Sequence, residues 1–70
     1  MANIAEMTKY FEYLDNLRES GVTNMYGAGS YLTSAFALGN EAAENVLTAW
    51  MDTFSLETPA AERAELATVA

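Results

Sequence analysis

Between Asn3 and Gly21, Met7, Tyr10, Phe11, Leu14 and Leu17 recur in steps of three and four that place them on one stripe of a helix. Lys9, Glu12, Asp15, Asn16 and Glu19 fall largely on the other side. Both ends are marked. Asn3 with Glu6 three residues on forms a capping-box pattern, in which each residue can satisfy an amide of the other. Gly21 stands where a left-handed residue closes a helix, and Arg18 near that end suits the negative pole of the helix dipole. The spacing predicts a helix over Ile4–Ser20.

The rest of the chain repeats this logic with less force. Thr23 and Asn24 both suit a helix start, but Gly27 and Gly29 each cost a helix roughly 1 kcal/mol relative to alanine. Two outcomes follow: a helix over Met25–Leu38 with close backbone packing at the glycines, or a loop leading to a helix that begins near Ser30. In either, Ala28, Leu32, Ala35 and Phe36 share a face. Leu38-Gly39-Asn40 reads as a stop followed by a new cap, with Asn40 capping a helix over Glu41–Phe54. Its apolar stripe is Ala43, Val46, Leu47, Trp50, Met51 and Phe54. Thr58-Pro59 is a further start signal, with proline expected at the first helical position. The alanine-rich segment from Pro59 to about Ala67 is expected as a short helix, loosely docked or frayed. No strand runs, repeats or low-complexity segments occur.

The expected fold is therefore all-α: a compact three-helix core with helix-turn-helix-like second and third helices and a short C-terminal helix. Residues 1–56 form the three-helix domain, and 57–70 the short helix or frayed tail. Trp50, Phe36, Leu14 and Phe11 are expected among the most buried side chains. A chain of 70 residues buries only about 60% of its unfolded surface, so its margin of stability is thin. It has neither cysteine nor histidine, so packing, capping or a partner subunit must supply what disulfides and ordinary zinc or haem sites supply elsewhere. An apolar fraction of 51% argues for a folded chain.

Missing histidine and cysteine also remove the commonest general base and the strongest nucleophile. Glu41 and Glu44 form a carboxylate pair on adjacent turns, but a solvated pair favoured by the helix dipole is the simpler explanation of them. No phosphate-binding GxxxxGK[ST] loop is present, and Gly27-Ala28-Gly29 lacks both the lysine and the preceding strand. No EF-hand pattern is present either. The chain is read as non-enzymatic, with no catalytic residue, no metal site and no cofactor.

Binding is the remaining class. Leu32, Phe36, Leu38, Ala43 and Val46 have the apolar spacing of a helix-turn-helix pair, which would turn Asn40, Glu41, Glu44, Asn45 and Thr48 outward. None of these is basic, and ten acids against three bases give a net charge of −7. That balance disfavours nucleic acid and anionic membranes. Asp15, Glu19, Glu41, Glu44, Asp52 and Glu57 could instead form a negative face that engages a basic protein surface or imitates a nucleic-acid backbone; plain solubility is the competing explanation. Tyr13, Tyr26 and Tyr31 are either core-rim residues or part of a binding patch. The candidate partner-binding residues are Glu41, Glu44, Asn45, Asp52, Tyr26 and Tyr31.

The run Tyr10 to Ala28, above all Ser20-Gly21-Val22-Thr23-Asn24-Met25, resembles a pattern in short, mostly uncharacterised bacteriophage-encoded proteins. So do Tyr31-Leu32, Phe36-Ala37-Leu38, Glu41-Ala42 and Val46-Leu47 with Ala49-Trp50-Met51. The likeness covers roughly residues 10–54 and implies a phage accessory protein, without implying an activity or site residues. Three expectations stand together. The first is a binder that modulates or inhibits a host macromolecule, with a protein partner that carries a basic surface. The second is a helix-turn-helix DNA-binding regulator, and the third a structural or assembly component, homo-oligomeric or virion-associated. No membrane span or secretory leader is read, so the expected location is the cytoplasm, that of the host if the chain is phage-encoded.

Overall fold

The computed structural model describes residues 3–21 and 27–69. They form four helices, α1 (Ile4–Ser20), α2 (Ala28–Phe36), α3 (Asn40–Thr53) and α4 (Ala60–Val69), with no strand among the described residues. The all-α expectation holds, and α1 has the bounds read from its caps. Asn3 is extended; its side chain accepts the Glu6 amide at 2.8 Å, and the Glu6 carboxylate accepts the Asn3 amide at 3.3 Å. At the other end Gly21 takes φ 69° and donates its amide to the Leu17 carbonyl at 3.3 Å. A side chain there would be strained by its own backbone.

The other helices depart from expectation at their ends. Gly27 occupies the N-cap position immediately before α2, so the helix starts between the two anticipated positions, while Met25 lies outside the described residues. Gly29 is inside α2, but a Cβ there would meet nothing within 4 Å, which removes the close-packing explanation for this glycine. α2 ends at Phe36, two residues early, because Ala37 turns left-handed at φ 56°. Asn40 does not cap α3. Gly39 is the extended residue whose carbonyl accepts the Ala43 amide at 2.9 Å, and no side chain caps this end. Asn40 is thus already helical. Similarly Pro59 precedes α4 instead of opening it, its carbonyl accepting from Glu62 and Arg63 at 3.1 Å.

α4 packs mainly on α1 and then on α3, while α2 packs mainly on α3. Phe11, Leu14 and Leu32 are fully enclosed, with Trp50, Val46 and Leu47 beside them. Ala28, Ala43 and Ala64 are buried from α2, α3 and α4, small side chains that bring helix backbones close. α4 is therefore a docked helix and neither loose nor frayed at Ala64, which no solvent reaches. The alanines that made it look weak are what let it approach. Phe36 is only half-buried. It ends its helix at the edge of the core, where its ring meets Tyr10 and Tyr13 edge-on at centroid distances of 4.9 and 5.3 Å. Ala35, expected on the inner face of α2, is exposed.

Candidate functional site

α3 divides cleanly by face. Ala43, Val46, Leu47 and Trp50 point into the core, and Glu41, Glu44, Asn45, Thr48 and Asp52 are exposed. At the helical step between residues, those five positions fall within about 100° of arc, opposite the buried set. Four of the six candidate binding residues are thereby brought onto one stripe: Glu41, Glu44, Asn45 and Asp52. α3 carries no lysine or arginine. Among the described residues the ion pairs are Arg18–Glu19 and Arg63–Asp15, so the three α3 carboxylates face solvent unpaired. Tyr31 is 37% exposed on α2 and makes no ring contact or hydrogen bond to this stripe among the described residues. Tyr26 lies outside the described residues.

Beside the stripe runs a groove of about 590 Å³ between α1, α3 and α4. Its apolar surface comes from Met7 and Tyr10 of α1, Leu38 of the α2–α3 turn, Val46 and Ala49 of α3, and Ala67 of α4. Glu6 and Asn45 line its two sides, and Asn45 also belongs to the α3 stripe. Stripe and groove are thus one continuous surface, acidic on α3 and apolar where α3 meets α1 and α4.

Two residues of the expected acidic face are engaged elsewhere. Asp15 accepts the Trp50 indole N–H at 2.9 Å through Oδ1 and the Arg63 Nη2 at 2.6 Å through Oδ2. Arg63, only 2% exposed, also donates from Nε to the Thr58 carbonyl at 2.9 Å. Its guanidinium lies 5.4 Å from the Phe54 ring centre and 5.9 Å from that of Phe11, within cation–π range. Nη1 is buried and makes no hydrogen bond among the described residues. Glu19 pairs with Arg18, whose guanidinium stacks 4.8 Å from the Phe54 ring. Sequence reasoning overlooked this cluster, although it left a signal. Arg18 follows Leu14 by four residues and Phe11 by seven, so it continues the apolar stripe. A core tryptophan, moreover, needs an acceptor for its N–H.

The cavity of about 350 Å³ beside this cluster is lined by Arg18 and Arg63 together with Asp15, Glu19 and Glu57. Its cations are already paired with its carboxylates, which gives it no net attraction for an anion. Among the described residues no group of three or more acidic side chains is placed to hold a metal ion, and no helix is long and apolar enough to cross a membrane. Comparison with protein-family models, with curated proteins and with solved structures finds no match to this chain.

Proposed function

We propose that this protein is a non-enzymatic binding module whose α3 stripe engages a basic surface on a macromolecular partner. The observation that carries the reading is the placement of Glu41, Glu44 and Asp52 on one exposed face without a cation on their helix. Taken with the resemblance to short bacteriophage-encoded proteins, it makes the partner a host protein in the bacterial cytoplasm and the module a modulator or inhibitor of it.

Charge density favours a protein target over full imitation of DNA. The stripe spans about 16 Å from Glu41 to Asp52 at the helical rise per residue. Duplex DNA would present about ten charges over that length, and α3 presents three carboxylates. The same stripe argues against a DNA-reading helix. The α2–α3 turn has the length of a helix-turn-helix turn, but the outward side chains would repel phosphates.

The test is affinity capture from bacterial lysate at low and high salt. Glu41→Gln/Glu44→Gln/Asp52→Asn is compared with a control set, Glu12→Gln/Glu62→Gln/Glu65→Gln, that removes equal charge elsewhere. A salt-sensitive partner lost at least about tenfold with the α3 set only is the expected result. Equal loss or equal retention in the two sets would reduce the stripe to a solubilising surface.

A further inference from the structure

The groove beside the stripe has an occupant chemistry of its own. Its volume of about 590 Å³ lies within the range that holds several apolar side chains. Its floor combines Met7 and Val46 with the small side chains Ala49 and Ala67, so a visiting backbone can come close.

The charged side chain that lines it is acidic. Glu6 lines one side, and the other rises to Asn45 and the carboxylates of α3. Two of the chain's three cations are held by Asp15 and Glu19. The third, Lys9, stands one helical turn beyond Glu6 on α1, exposed and outside the groove lining. An apolar channel flanked by negative potential is complementary to an amphipathic helix with apolar residues at i, i+3, i+4 and i+7 and lysine or arginine along its flanks.

We infer that the groove between α1, α3 and α4 is the docking site for such a basic amphipathic helix of the partner. Leucine-like side chains of that helix enter between Met7, Val46 and Ala67, and its basic flank lies against Glu6 and the α3 stripe. The inference rests on the reading of α3 as the receptor for a basic partner and adds the secondary structure and apolar anchors of what binds.

The experiment titrates the isotope-labelled full chain with a synthetic leucine–lysine amphipathic peptide of about four helical turns, followed by NMR. Two companions share its length: one with the leucines changed to serine, the other with the lysines changed to glutamate. Two protein variants accompany them. Ala42→Lys places bulk and positive charge at an exposed position lining the groove, and Glu44→Gln/Asp52→Asn alters the stripe outside the groove lining. The expected result is perturbation at Met7, Tyr10, Val46 and Ala67, with both companion peptides at least about tenfold weaker. Ala42→Lys should lose a similar factor with unchanged circular dichroism. Absence of peptide binding, serine and leucine peptides of equal affinity, or full binding by Ala42→Lys would each overturn the groove. So would groove signals that shift with protein concentration alone, since a second copy would then fill it. If the serine peptide binds as well as the leucine one and stripe neutralisation weakens both, the groove fails while the α3 reading stands. Indifference to both leucine and stripe removes both.

Discussion

Replacing Asp15 by alanine should be among the most damaging single changes outside the apolar core, and more damaging than replacing its partner. Asp15→Ala strips the charge partner from a guanidinium whose side chain is 3% exposed, leaving it one carbonyl and two aromatic rings. It also removes the acceptor of the Trp50 indole. Breaking a buried ion pair from one side costs about 3–5 kcal/mol. The Asp15 side chain is 31% exposed, so water can reach part of the vacated space and the lower end applies, about 3 kcal/mol. A domain of this length holds about 4–10 kcal/mol in total, and the corresponding fall in Tm is about 12–24 °C. Arg63→Met removes the buried charge itself and leaves Asp15 accessible to water, so it should cost no more than about half as much. The double variant should be more stable than Asp15→Ala alone, because it no longer buries an unpaired cation. Urea unfolding followed by circular dichroism measures all three. The reasoning is refuted if Arg63→Met proves the worse single change, or if the two losses simply add.

Two backbone positions give further expectations. Ala37 holds φ 56° without being glycine, a conformation disfavoured for a residue with a Cβ; Ala37→Gly should stabilise by about 0.5–1 kcal/mol and raise Tm by a few degrees, and a fall in Tm would show that the methyl group matters more than the strain. Gly39 precedes α3 in an ordinary extended conformation, with no side-chain cap and open space within 4 Å of where a Cβ would stand. Gly39→Ser should therefore supply the missing cap and gain about 0.5 kcal/mol by thermal melting, whereas no gain would mean that solvent already satisfies that end.

α1 was legible because every local signal agreed: Asn3 and Glu6 at the start, a regular stripe, and Gly21 at the end. The errors elsewhere lie where two residues competed for one role. Gly39 and Asn40 both suit the entrance to α3, and the glycine prevails because its carbonyl opens the helix while Asn40 already lies within it. α4 was misjudged because alanine reads as weak hydrophobicity in a sequence. In the fold Ala64 is a contact surface, and its worth depends on how closely the partner helix approaches, which no local pattern records. For the site, helical periodicity was enough to place Glu41, Glu44, Asn45 and Asp52 on one side of α3. It could not reveal that Asp15 is tied to α3 and α4, since its two partners are 35 and 48 residues away in sequence.

That cluster also bears on the proposed binding surface. A buried ion pair is weak evidence for net stability, since an apolar replacement often serves as well; what a charged hydrogen-bond network adds is directional demand. Asp15 on α1, Trp50 on α3 and Arg63 on α4 are joined through two bonds that each require a defined geometry. These are the same three helices that form the groove of Met7, Val46 and Ala67. Alanine-rich contacts such as those of α4 fix a distance well but a rotation poorly, because small side chains interlock little. The Asp15 network supplies a directional constraint on the rotation and sliding of these helices. Two of the three cations are held in ion pairs away from the groove lining, so neither stands among the side chains that line it. Every carboxylate outside the two pairs is exposed, with Lys9 alone to oppose them. The Asp15–Arg63 pair thus places one of the three cations inside, at the junction of the three helices, and away from the proposed binding face.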